Sequence, residues 1–174
     1  CTFLIVQGIS RVAVDPPHYK LLLTSDRYYS MNDMDVYIDD NGHLKIFVNP
    51  HKNKKKKITF ALYDPENDTI KTYNLEVPVA GPSDTGNEQD KKINVAPPPE
   101  LTGKTYSDNI TAPDGYRYDK TDGRGYGLVH GIFGGHHGRS LKVVKGSASY
   151  KIPDLPWKHY RTNFIGWMID DRKE

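Results

Sequence analysis

The chain has 174 residues, 36% of them hydrophobic and 26% charged, which suits one well-packed domain with a hydrated surface. Its formal net charge of +2 is too small for a general nucleic-acid binder, which normally carries a strong basic bias. No stretch of about 18 residues is apolar enough to cross a membrane as a helix. The 15 glycines and 12 prolines divide the sequence into short segments and disfavour a helical bundle, while the 12 tyrosines suit strand faces and contact surfaces.

The N-terminal part, residues 1–79, is predicted to form β-hairpins. Alternating apolar residues at 3–14 indicate one or two short strands, and the apolar run at 18–24 indicates a buried strand.

Two hairpins are predicted within this part. The first spans residues 34–48, where strand-like segments flank Asn41-Gly42, a dipeptide that tolerates the positive φ angles of a type I′ turn. The second spans residues 58–77, where alternating segments flank a polar turn at 64–68.

Residues 80–104 are rich in Pro, Gly and charge, and predict a long loop or linker. The C-terminal part, residues 105–174, is rich in Gly and Tyr. Its predicted turns lie at 114–118 and 122–127, and its predicted strands at 128–133, 140–145, 147–152 and 163–169. We therefore predict a mainly β fold, an antiparallel sandwich or open barrel built from hairpins, in a single domain over residues 1–174.

The common catalytic motifs are missing from the sequence. It contains no Gly-x-Ser-x-Gly elbow, no His-Glu-x-x-His zinc motif, no phosphate-binding Gly-x-x-x-x-Gly-Lys-Ser/Thr loop and no dinucleotide fingerprint. The single thiol belongs to Cys1, a terminal position that does not suit a nucleophile. We therefore predict that the chain is not an enzyme and binds no cofactor.

His130, His136 and His137 flank a glycine-rich segment and form an alternative metal site, because neutral imidazoles bind zinc or copper. The competing interpretation is a polar hairpin tip whose glycines supply unusual backbone angles. Since no further ligand lies at a suitable spacing, we favour the tip and predict no bound metal.

Residues 51–57, His-Lys-Asn-Lys-Lys-Lys-Lys, form the one run of charge. Such a run can contact anionic lipid headgroups, or it can be a solvated loop that discourages pairing at strand edges. We favour the solvated loop. We predict no nucleic-acid partner, because no aromatic residues for base stacking alternate with these lysines.

The Gly-rich loops of the C-terminal part carry candidate partner contacts, because Tyr, Trp and Arg dominate the hot spots of protein interfaces. The predicted partner-binding residues are Tyr116, Tyr118, Arg124, Tyr126, His136, His137 and Arg139. Farther along the chain, Phe164 and Trp167 are predicted to close the hydrophobic core.

The sequence begins with Cys1 and in this respect resembles the mature form of a bacterial lipoprotein, which is cleaved just before a Cys that then receives lipid. The alternative is a first residue unrelated to lipidation. Together with the modest length and the β-rich pattern, Cys1 makes the chain resemble, in general type, small periplasmic lipoproteins of Gram-negative envelopes. That resemblance implies a lipid on Cys1, and Thr2 after the Cys implies attachment to the outer membrane from the periplasmic side.

The function implied by this resemblance is non-catalytic protein binding at the bacterial envelope. One such protein is an immunity lipoprotein that binds and neutralises a toxin delivered by type VI secretion. An accessory lipoprotein of a secretion or envelope-assembly complex is an alternative. A His-dependent metal-binding protein or enzyme is a further alternative.

Overall fold

The computed structural model describes residues 15–25, 34–52, 57–79, 91–121, 140–157 and 161–169. Within these residues the chain forms β-strands and one 3₁₀ turn, without an α-helix. The strands are β1 (Lys20–Ser25), β2 (Met34–Ile38), β3 (Leu44–Val48), β4 (Lys57–Asp64), β5 (Thr69–Glu76), β6 (Ile93–Asn94), β7 (Tyr106–Ser107), β8 (Arg117–Thr121), β9 (Ser140–Lys145), β10 (Ala148–Lys151) and β11 (Thr162–Met168), and the 3₁₀ turn is Pro99–Leu101. This described part of the chain contains no helix long and apolar enough to span a bilayer.

The strands form three antiparallel sheets. The central sheet has five strands in the order β5-β4-β1-β11-β7. The hairpin sheet has the order β2-β3-β6, and the C-terminal sheet has the order β10-β9-β8. The prediction of a mainly β, antiparallel, sandwich-like fold is confirmed.

The first hydrophobic core lies between the central sheet and the hairpin sheet. Leu22 and Phe60 of the central sheet are buried against Val36 and Ile46 of the hairpin sheet. Successive side chains of the hairpin point to opposite faces, so Met34, Val36 and Ile38 of β2 and Leu44, Ile46 and Val48 of β3 make one face wholly apolar. Each buried aliphatic side chain of this kind stabilises the fold by about 1.5–3 kcal/mol.

The second hydrophobic core lies on the opposite face of the central sheet. There Leu21, Leu23 and Trp167 pack with Tyr116 and Val143 of the C-terminal segment. Because the central sheet is covered on both faces, β1 is buried on both sides and carries a continuous apolar run instead of an alternation. The predictions of a buried strand near residues 18–24 and of Trp167 in the core are confirmed.

β11 contains a β-bulge at Ile165, where its pairing with β1 shifts register. An extra residue reverses the alternation of side chains beyond it. Phe164 and Trp167, three positions apart, therefore both reach the second core, with Phe164 partly buried. Next to the bulge, Gly166 permits the close approach of β7, because a Cβ there would lie 2.7 Å from the carbonyl oxygen of Ser107.

The predicted hairpin at residues 34–48 is confirmed, but the predicted type I′ turn is wrong. The Asp39 N–H donates to the His43 carbonyl at 2.9 Å, and the Gly42 N–H donates to the Asp39 carbonyl at 2.8 Å. Gly42 has a φ of +78°, whereas Asn41 does not have a positive φ. The connection is therefore a type I turn closed by a glycine bulge, which favours Asp at its first position and Gly at its fourth.

The second predicted hairpin is confirmed as β4 and β5, and the strands predicted at 140–145, 147–152 and 163–169 are confirmed as β9, β10 and β11. The turn predicted at residues 114–118 is too long, because β8 begins at Arg117. The Gly115 φ of +85° completes the turn, and Arg117 and Tyr118 already belong to the strand.

The long loop predicted at residues 80–104 lies only partly within the described residues. Its second part, from residue 91, contains β6 and the 3₁₀ turn. Residues 80–90, and the strands predicted at 3–14 and 128–133, lie outside the described residues.

Candidate functional site

Two of the predicted partner-binding residues, Tyr116 and Tyr118, lie in the second core and are 0% and 6% exposed. The Tyr116 hydroxyl donates to the Asp15 carbonyl at 2.6 Å, and burial, with hydrogen bonding to Tyr150, raises the pKa of Tyr116 to about 12. The Tyr118 ring stacks on Phe164 with centroids 5.5 Å apart, and burial raises the pKa of Tyr118. Both rings pack in the core, and their contact with a partner stays a prediction.

The other predicted site residues lie outside the described residues. They are Cys1, Arg124, Tyr126, His130, His136, His137 and Arg139. The lipid on Cys1 and the alternative metal site therefore stay predictions. The described residues themselves contain no group of three or more His, Cys, Asp or Glu side chains that could hold a metal ion.

The lysine run at 51–57 is described only at its two ends. His51 and Lys52 follow β3, and Lys57 is an exposed residue at the start of β4. Contact of this run with an anionic surface stays a prediction.

The solvent-facing side of the hairpin sheet is the strongest candidate for a functional surface among the described residues. The alternation that buries one face of β2 and β3 turns Asp35 and Tyr37 of β2, and Lys45 and Phe47 of β3, to the outside. The register places Asp35 opposite Phe47 and Tyr37 opposite Lys45, so the two aromatic rings are diagonal neighbours.

The two rings form a stacked pair. Their centroids are 6.1 Å apart and their planes differ by 8°. Tyr37 is 45% exposed, one of the few large apolar side chains on the described surface with this much area in solvent. A rigid aromatic pair held on a strand face loses little conformational entropy when a partner covers it.

Ion pairs lie on both sides of the stacked rings. The Lys92 ammonium contacts the Asp35 carboxylate at 2.6 Å, and the Lys45 ammonium contacts the Asp39 carboxylate at 3.4 Å. The pKa of Asp39 is lowered, mainly by the hydrogen bond from the His43 N–H. We call this surface, composed of Asp35, Tyr37, Lys45, Phe47 and Lys92, the aromatic face.

A groove runs beside the aromatic face, between β2 of the hairpin sheet and β11 of the central sheet. Its volume is about 390 Å³, which lies within the usual range for binding clefts. It is lined by Val36, Tyr37, Ile38, Asp108, Asn163, Phe164 and Ile165. We call it the edge groove.

A second, smaller cleft of about 150 Å³ lies near the 3₁₀ turn. It is lined by Lys20, Leu62, Asp64, Lys71, Tyr73, Glu100, Lys104 and Met168. Its three ammonium groups face two carboxylates, with Lys20 and Asp64 4.0 Å apart, so the charges largely compensate. Burial and the nearby Glu100 carboxylate raise the pKa of Tyr73.

The aromatic face is absent from the sequence predictions, although the pattern of residues in the hairpin strands indicates it. Once residues 34–48 are known to form a hairpin, the apolar positions of each strand fix which face is buried, and Tyr37 and Phe47 must point outward. The edge groove had no such signal, because its two walls come from β2 and β11, which are distant in sequence.

No protein-family model matches the chain, and neither the curated proteins nor the solved structures show a significant similarity to it.

Proposed function

We propose that this chain is a non-catalytic protein-binding module that contacts its partner through the aromatic face. The observation that carries the proposal is the exposed ring of Tyr37, stacked on the half-buried ring of Phe47 between two ion pairs. A central aromatic anchor surrounded by charged and polar groups is the typical composition of a protein–protein hot spot.

The charges of this face favour a protein over a nucleic acid. Binding to a phosphate backbone depends on cations that release counterions from it. Here Lys45 and Lys92 are each paired with a carboxylate at 3.4 and 2.6 Å. The aromatic face therefore offers no surplus of positive charge, and its ion pairs suit the mixed polar rim of a protein interface.

Affinity capture from the native host tests the proposal, with the tagged full chain as bait and mass spectrometry as the readout. Tyr37→Ala removes the exposed ring, and we expect it to make the binding free energy of a specific partner less favourable by about 2 kcal/mol or more. The matched control is Val79→Ala, because Val79 is exposed to a similar degree, 42%, but lies outside the hairpin sheet. A partner captured equally well by both variants would rule out the aromatic face.

For the partner itself we propose a secreted toxin that the chain neutralises, with a subunit of a secretion or envelope-assembly complex as the alternative. These finer proposals are supported by the general resemblance of the sequence to periplasmic lipoproteins. Co-expression with the captured partner distinguishes them: rescue of growth from a toxic partner supports neutralisation, and a harmless, multi-subunit partner supports assembly.

A further inference from the structure

The backbone of β2 directs hydrogen-bonding groups into the edge groove. The Asp39 N–H bonds to the His43 carbonyl, so this residue pair is hydrogen-bonded across the hairpin. Such pairs alternate along an antiparallel ladder, which makes Tyr37 and Asp35 the next residues bonded to β3. The N–H and C=O groups of Val36 and Ile38 therefore point away from β3.

The other side of the hairpin sheet agrees with this alternation. Ile46 lies opposite Val36, and its carbonyl accepts a hydrogen bond from Val95 N–H at 2.8 Å, on the side away from β2. β2 is an outer strand of its sheet, and no strand among the described residues pairs with its free edge. The edge groove thus contains a backbone ladder that an added strand can extend.

The groove combines apolar walls with polar groups that are available to a partner. Ile38, which is only partly buried, supplies apolar area on the β2 wall, and residues of β11 line the opposite wall. The Asp108 carboxylate is exposed, and within the described residues it takes part in no ion pair. An unpaired carboxylate beside an apolar groove favours a cationic group on whatever fills it.

We propose that the edge groove binds an extended segment of a partner protein, which adds to β2 as a further strand, buries apolar side chains at alternate positions and places Lys or Arg next to Asp108. This inference rests on the proposed function, and it adds the chemistry of the partner segment that binds. A second copy of this chain is disfavoured as the occupant, because the lysines beside its own β2, Lys45 and Lys92, are already paired with Asp39 and Asp35 and leave no free cation for Asp108.

The test uses a library of random 12-residue peptides displayed on phage and selected on the immobilised full chain. We expect the enriched sequences to alternate apolar and polar residues and to contain Lys or Arg.

The affinity of the selected peptides is then measured by fluorescence anisotropy against the original chain and against Asp108→Lys. We expect Asp108→Lys to weaken binding about tenfold, because the charge next to the basic residue is reversed. The control is Glu76→Lys, the same charge reversal at an exposed position on β5, which should leave the affinity unchanged.

A second variant tests strand addition itself. Val36→Pro removes an N–H that points into the groove while sparing the hydrogen bonds to β3, and proline is tolerated at such edge positions. We expect the peptides to lose affinity at least tenfold for this variant, with a thermal melt showing that it folds. If Val36→Pro does not fold, because Val36 also belongs to the first core, Ile38→Pro removes the other N–H that points into the groove at a partly buried position and takes its place.

Several results would overturn the inference. In the selection, these are the enrichment of acidic peptides or of no peptide at all. In the binding assay, it is an equal affinity of the selected peptides for the original chain and for Asp108→Lys. In sedimentation analysis, it is self-association of the chain through this groove. The proposed function is tested separately, by comparing partner binding to Tyr37→Ala and to Asp108→Lys. A partner that is lost with Tyr37→Ala but retained with Asp108→Lys leaves the aromatic face in place and removes the strand addition.

Discussion

The hydroxyl of Tyr118 is buried in the second core without a hydrogen-bond partner among the described residues. Removing a polar group from water costs free energy unless a new hydrogen bond replaces the lost ones. We therefore expect Tyr118→Phe to leave the free energy of unfolding unchanged or to raise it by up to about 1 kcal/mol. Urea denaturation followed by circular dichroism measures this difference.

Tyr116→Phe is the matched control for that substitution. The Tyr116 hydroxyl is buried in the same core but donates to the Asp15 carbonyl at 2.6 Å. Its removal should lower the free energy of unfolding by about 1 kcal/mol, the usual net contribution of one hydrogen bond. If Tyr118→Phe destabilises the chain as much as Tyr116→Phe, the Tyr118 hydroxyl has a partner and the argument is wrong.

At the scale of the element, the β2–β3 turn depends on the carboxylate of Asp39. Its Oδ1 accepts hydrogen bonds from the His43 N–H at 2.8 Å and the Asn41 N–H at 3.0 Å. The pKa of Asp39 is lowered, first by the His43 hydrogen bond, so the folded state favours the ionised form. This stabilisation is fully present above the ordinary pKa of an Asp, about 4, and is lost as the pH falls through the lower pKa of the folded state.

Asp39→Asn tests the role of this charge, because the amide oxygen can still accept the same hydrogen bonds. We expect the variant to be less stable than the original chain near neutral pH, and we expect the difference to shrink as the pH falls below about 4. Parallel denaturation curves at both pH values measure this. A difference that is independent of pH would show that the charge of Asp39 does not stabilise the turn.

The same turn shows how far the sequence predicts an element. Asn41-Gly42 between two alternating segments identified the hairpin and hence the first core, because local turn residues and period-two patterns are short-range signals. The Asn-Gly dipeptide alone does not determine the turn type, because the Asp39 side chain accepts hydrogen bonds from two backbone N–H groups and stabilises a type I turn instead.

Other features could not be read from local pattern at all. The bulge at Ile165 depends on how β11 pairs with β1, which lies at the opposite end of the chain. Tyr116 and Tyr118 are likewise buried because the C-terminal segment packs on the second face of the central sheet. A Tyr in a Gly-rich segment has the same neighbours in sequence whether it is buried or exposed. The edge groove is set by the same kind of long-range pairing.

At the scale of the whole molecule, the central sheet joins the two cores into one structure. Leu22 and Leu23 are neighbours in β1, yet the first belongs to the core under the hairpin sheet and the second to the core under the C-terminal sheet. Among the described residues, each three-stranded sheet buries its apolar face in a core that it shares with the central sheet, and neither outer sheet has a core of its own there. Loss of the central sheet would therefore expose both cores together.

Truncating each of these leucines tests that cooperativity. Leu22→Ala and Leu23→Ala should each lower the free energy of unfolding by about 2–5 kcal/mol, since both side chains are fully buried. In each variant we expect the amides of Phe47 in the hairpin sheet and Val143 in the C-terminal sheet to lose hydrogen-exchange protection equally, because one unfolding event opens both cores. If Leu22→Ala exposes only the Phe47 amide, or Leu23→Ala only the Val143 amide, the two cores unfold separately. The central sheet would then contribute residues to both cores without making their unfolding cooperative.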